Sequence, residues 1–185
     1  MELTLFLLKV LGISLSGALS PGPVTAVAIA MGARSRFAGT LMALGHGVVE
    51  FPLMVLLILG VGRFLQIPQV EIGIGLVGGA VMIFMAVQMM QGLGRTGDST
   101  FQTARGGPFA AGIFLSGSNP YFLIWWATVG LAMITQARGF GAWAFVLFAL
   151  AHWSVDLIWL TILSWASFKG RSEEHTSELQ SRQSI

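Results

Sequence analysis

Cysteine is absent and charge is scarce. With no thiol among 185 residues, disulfides and thiolate metal sites are excluded, and the redox compartment is not legible. Only 10% of the residues are charged, against about a quarter in a soluble domain. The formal net charge of +2 is too small and too scattered for a nucleic-acid surface. Catalytic signatures are missing too. There is no HExxH motif and no Ser-His-Asp arrangement. The nearest pattern, His-x-x-x-acid, lacks the second histidine of a zincin helix. Neither an enzyme nor a bound cofactor is expected.

What the sequence does have is apolar length. Hydrophobic residues make up 55% of the chain and the mean hydropathy is +0.78. Runs of about 20 such residues cross ~30 Å of hydrocarbon as helices, so the pattern predicts an all-α integral membrane protein. Five spans are expected, at about residues 3–31, 39–62, 70–93, 109–135 and 140–168. Lys9 sits within or after the apolar stretch LTLFLL and not before it, which argues against a cleaved signal peptide. Arg34, Arg36, Arg95, Arg105, Lys169 and Arg171 lie on one side of these spans, and only Arg63 and Arg138 on the other. The positive-inside rule then places the N-terminus outside.

Two ionisable pairs interrupt the apolar pattern. LGHGVVEF (residues 44–51) and LAHWSVDL (residues 150–157) both read Leu-x-His-x-x-Val-acid. His46 and Glu50 thus match His152 and Asp156 at the same i,i+4 spacing, which puts each pair on one helix face. Upstream, LSG at residues 15–17 precedes the break Ser20-Pro21-Gly22-Pro23, and LSG at residues 115–117 precedes Ser118-Asn119-Pro120. Two features recurring in one order predict a repeat of three spans. An odd number of spans inverts the second copy, giving a 3+3 inverted repeat of the kind found in transporters. The repeat calls for six spans, so the last helix of the second copy is expected to be missing from these 185 residues.

Burying an ionisable side chain at mid-membrane depth costs several kcal/mol, so the pairs should face the bundle interior. There they could take up and release protons, or they could simply pin helix packing. A third use is also open. His46, Glu50, His152 and Asp156 are suitable ligands for a divalent metal. The breaks offer a second kind of chemistry. Proline removes a backbone N–H and clashes with the preceding turn. A helix restarting after such a break presents free N–H groups that suit a carboxylate. Pro21, Gly22, Pro23, Thr25, Ser118, Asn119 and Pro120 are the candidate substrate-binding residues, with Ser116 near them. Gly73, Gly75, Gly78 and Gly79 suggest a small-residue packing face in the third span. Trp125, Trp126, Trp153, Trp159 and Trp165 are expected as interfacial anchors or packing residues and not as ligand stackers.

SPGPVTAVAIAMGARSRFAGTLMALGHG (residues 20–47) resembles the N-terminal signature of the LysE/RhtB family of amino-acid exporters, and SNPYFLIWWATVG (residues 118–130) resembles its Asn-Pro motif. Pro21, Gly22, Pro23, Asn119 and Pro120 match those motifs by position. The resemblance covers nearly all of residues 1–170. It implies about six spans, proton-driven efflux of amino acids or related small molecules, and the plasma membrane of a prokaryote. The two His–acid pairs stand outside that pattern and leave the substrate open. The expected partners are a small-molecule substrate and the lipid bilayer, with homo-oligomerisation open.

Composition changes abruptly at residue 170. RSEEHTSELQS (residues 171–181) reads as the conceptual translation of a sequencing adapter. Residues 1–170 are therefore expected to form the translocator, and 171–185 to be a non-native or disordered tail. The functional expectation is a secondary exporter of amino acids or similar zwitterions driven by the proton gradient. The alternative is divalent metal efflux.

Overall fold

The computed structural model describes residues 2–20, 22–61, 64, 67–70, 72, 73, 76, 77, 80, 83, 87 and 106–183. Among them every long regular element is helical. The elements are α1 (Glu2–Ala18), α2 (Pro23–Gly32), α3 (Ala38–Leu56) with a π-helical turn Leu57–Val61, α4 (Gly107–Gly117), α5 (Pro120–Trp125) with a π-helical turn Trp126–Gly130, α6 (Leu131–Gly139) and α7 (Ala142–Gln183). The third expected span lies mostly outside the described residues, as do Pro21, Gly75, Gly78 and Gly79.

The prolines act where the sequence places them. The first expected span is two helices, and α2 leaves the line of α1 by 76°. Pro23 occupies the first turn of α2 after the extended N-cap Gly22, where a missing N–H does no harm. The fourth span breaks in the same way. Asn119 ends α4's path and its side chain accepts a hydrogen bond from the Tyr121 amide, capping α5 behind Pro120. Gly141, at φ +101°, provides the left-handed turn between α6 and α7 that a Cβ would strain.

Two uninterrupted stretches, Ala38–Gly60 and Ala142–Glu173, are long and apolar enough to cross a bilayer, and α1 with α2 makes a third if the bent pair is one span. The described residues thus give an all-helical architecture with two or three candidate spans, a coarser result than the five expected. Helix α7 continues to Gln183, so the change of composition at residue 170 does not mark a helix end.

Helix α3 packs against α4 and α7, and both α1 and α2 pack against α7. In lipid there is little hydrophobic drive between helices, so close backbone approach matters. A Cβ on Gly45 would collide with the Phe109 carbonyl of α4, and one on Gly112 would collide with the Met42 carbonyl of α3. Gly39 meets the Leu160 carbonyl of α7 in the same way. These glycines bring the helices together, whereas a Cβ on Gly73 would meet no described neighbour. One core cluster joins Phe6 and Val10 of α1 to Met54, Phe122, Trp126 and Phe148, and a second joins Val27 and Ala28 of α2 to Met42, Ala111 and Leu160. Large apolar side chains such as Leu5, Leu8, Leu59 and Ile162 stay exposed. In water such a surface would be an aggregation liability; it suits acyl chains.

Candidate functional site

Between the two clusters lies a cavity of about 430 Å³. Its walls come from α1, the start of α2, the middle of α3, and α4, α5 and α7, and it brings His46, Glu50, His152 and Asp156 together. Sequence alone put these residues on two helix faces. The packing of α3 on α7 turns both faces inward.

Glu50 is the centre of the cluster. It is fully buried, and its Oε1 lies 3.1 Å from the Nε2 atoms of both His46 and His152. The carboxylate therefore bridges its own i,i+4 partner and the histidine of the other pair. Asp156 stands further off, with Oδ2 3.8 Å from His46 Nε2 and 4.0 Å from His152 Nε2. Those distances are too long for hydrogen bonds. Its side chain keeps 21% of its exposure, against none for Glu50, and it faces the cavity.

The far side of each imidazole is held by a serine. Ser14 Oγ lies 2.6 Å from His152 Nδ1, and Ser116 Oγ lies 2.7 Å from His46 Nδ1. The bonds cross: a serine before the first break holds the histidine of α7, and a serine before the second break holds the histidine of α3. Ser116 also donates to the Gly112 carbonyl at 2.6 Å. A carbonyl only accepts, so the hydroxyl proton is committed there and Ser116 must accept from His46 Nδ1–H. The hydrogen bond between His46 Nε2 and Glu50 then needs one further proton, resident on either atom.

The other candidate residues divide. Gly22, Pro23, Thr25 and Asn119 line the cavity. Thr25 reaches back across the break to the Ser20 carbonyl at 3.5 Å. Ser118 is exposed, does not line the cavity, and donates to the Phe114 carbonyl at 2.6 Å; Ser116 takes the inner position. Trp126, 1% exposed in the core, is a packing residue, as expected. Trp125 lines the cavity and stacks on the His152 ring, with centroids 4.9 Å apart at 22°. Neither is an interfacial anchor, because the break at Asn119 carries α5 into the bundle. Trp153 is a packing residue whose Nε1 donates to the Ala43 carbonyl at 3.0 Å.

Ser14 was not among the expected site residues. A signal for it existed: Phe6, Val10 and Ser14 recur every four residues and form the buried face of α1. Tyr121 and Phe122 were also missed, because an aromatic run beside a proline carries no mark of which ring turns inward.

His46, Glu50 and Asp156 each offer one ligand atom, all within 4.8 Å of one another. A divalent ion would accept nitrogen and oxygen donors so grouped.

Broken helices around a cavity that holds a buried ionisable cluster, in a fold with lipid-compatible faces, fit a helical membrane translocator. The chain belongs to the LysE type translocator family, whose model matches residues 15–180. No curated protein matches the chain, and no solved structure does. Membership makes it a membrane transport protein acting on amino acids or similar small molecules.

Proposed function

We propose that this protein is a secondary exporter of amino acids or related small zwitterions in a prokaryotic plasma membrane, with its N-terminus outside and export driven by proton uptake at the His46, Glu50, His152 and Asp156 cluster. The observation that carries the reading is the single carboxylate oxygen of Glu50 shared by two imidazoles inside the cavity. Such a cluster exchanges protons without exposing a bare charge to lipid. Substrate and protons meet at the same walls. An ammonium group drawn to Asp156 is disfavoured when that cluster carries extra protons, so loading with one favours release of the other.

An inverted repeat of two halves is part of this reading. The support for it is the meeting of the two matched His–acid pairs at one Glu50 oxygen; the serine–histidine bonds join the halves without following the repeat, since the LSG alignment pairs Ser116 with Ser16 and not with Ser14. The substrate-binding residues of the proposal are Gly22, Pro23, Thr25 and Asn119, with Pro21 and Pro120 shaping the breaks and Ser118 shaping the turn behind them.

The test is flux in proteoliposomes under an imposed proton gradient. Net movement of labelled amino acid opposite to the proton flow, abolished by a protonophore, is the expected result; flux indifferent to the gradient would sink proton coupling. The grouping of His46, Glu50 and Asp156 favours a second reading, efflux of a divalent transition metal. Gradient-driven movement of zinc or manganese, with no amino-acid flux, would decide for it.

A further inference from the structure

The walls of the cavity discriminate among amino acids. Tyr121, Phe122, Trp125, Trp126 and Trp159 all line it, an aromatic density far beyond what glycine, serine or threonine would need. Its volume of about 430 Å³ lies in the range of small-molecule sites, ~300–1,000 Å³. A small amino acid would leave most of that space to water against apolar rings.

Charge narrows the choice further. Among the described residues, Glu50 and Asp156 are the acids that line the cavity, and no lysine or arginine lines it. Glu50 Oε1 is taken by two imidazoles, and Asp156 has no hydrogen bond at its 3.8 and 4.0 Å separations. Asp156 and Glu50 form one acidic patch for the α-ammonium group; no further acid lines the cavity to meet a basic side chain, and no lysine or arginine lines it to meet an acidic one. Neither fits.

Two buried polar atoms lack partners among the described residues: Glu50 Oε2 and Trp159 Nε1. Both side chains line the cavity. Buried unpaired groups are rare enough that a missing ligand or water is the natural explanation. One is an acceptor and the other a donor, the complement of an ammonium and a carboxylate. Helix α2 adds donors of its own. Its first i→i−4 bond is made by the Ala26 amide to Gly22 at 3.0 Å, and no side chain caps it. The Val24 and Thr25 amides, in residues lining the cavity, therefore precede the helical ladder.

We infer that the site is built for an amino acid with a bulky apolar or aromatic side chain: the ammonium meets Asp156 and Glu50 Oε2, the carboxylate meets Trp159 Nε1 and the start of α2, and the side chain lies against Trp125, Phe122 and Tyr121. This inference rests on the transport reading above but is tested separately from it.

The purified full chain is titrated with L-tryptophan, L-phenylalanine, L-leucine, L-lysine, L-glutamate and glycine, with binding read as ligand-induced thermal stabilisation. Tryptophan and phenylalanine should half-saturate at concentrations at least tenfold below lysine, glutamate and glycine. Trp159→Phe keeps the ring and removes only the N–H. It should weaken L-tryptophan severalfold while leaving tryptophanol, which lacks the carboxylate, unchanged. Asp156→Asn should weaken both of these ligands, yet spare indole-3-propionate, which lacks the ammonium. Lysine or glutamate binding as tightly as phenylalanine would overturn the inference, and so would no binding by any of the six. Aromatic binding without flux would overturn the transport reading and leave this one standing; lysine flux would do the reverse.

Discussion

Glu50 on α3 and His152 on α7 meet at 3.1 Å although 102 residues separate them. The contact ties α3 to α7, and it does so at the point where His46 also binds the same oxygen. Without Glu50 two imidazoles would face each other across a buried gap.

Removing that carboxylate should therefore be felt in both fold and flux. Glu50→Ala leaves both Nε2 atoms without their partner, and breaking a buried charged pair costs ~3–5 kcal/mol. A marked fall in melting temperature in detergent is expected. Glu50→Gln keeps the shape and loses the charge; it should melt nearer the parent protein while amino-acid flux drops at least tenfold. An alanine variant as stable as the parent would show that the bridge holds nothing together.

The crossed serines offer a comparison. Ser14→Ala and Ser116→Ala each strip one buried imidazole nitrogen of its partner, for which ~1–3 kcal/mol is the usual loss. Because the two bonds are reciprocal in geometry, at 2.6 and 2.7 Å, the two losses should be of similar size by thermal melting. Ser16→Ala is the control, since that hydroxyl is exposed and bonds only the Ile13 carbonyl within its own helix.

Helix approach can be tested at the glycines. Gly45→Val and Gly112→Val drive a side chain into the carbonyls of Phe109 and Met42. Backbone cannot yield as a flexible side chain does, so each should lose at least the ~1–3 kcal/mol typical of overpacking, read as reduced folded yield and melting temperature. Gly12→Ala, where an added Cβ meets nothing within 4 Å, should stay close to the parent.

Asn119 has two separable duties. As the cap of α5 it accepts from the Tyr121 amide at 3.0 Å, and loss of such a cap costs ~0.5–2 kcal/mol. Asn119→Ala should lower stability by that order, while Asn119→Asp, which can still accept, should restore it. Since Asn119 also lines the cavity, flux through the aspartate variant should remain reduced even where stability recovers, because a new negative charge enters the site.

Much of this was legible in the chain itself. The breaks at Pro23 and Asn119-Pro120 follow from proline's missing N–H and fixed φ, which act locally. The His–acid pairs declare themselves because charge is expensive in an apolar run, and their i,i+4 spacing fixes a common face whatever the partner helix. Other features were not legible. Nothing in WW distinguishes a ring that stacks on His152 from one that anchors at a lipid surface. The glycines that matter, Gly39, Gly45 and Gly112, look no different in sequence from Gly73.

Sequence by itself determined that the helices lie in a membrane, where they break, and which four side chains are too costly to face lipid, because those properties depend on hydropathy and local backbone sterics. Tertiary structure alone decided that Glu50 would serve both histidines, that Ser14 would reach His152 and Ser116 His46, and that the aromatics of α5 would line the cavity. Those contacts depend on which faces meet when α3 packs on α4 and α7, at a separation that Gly39, Gly45 and Gly112 permit.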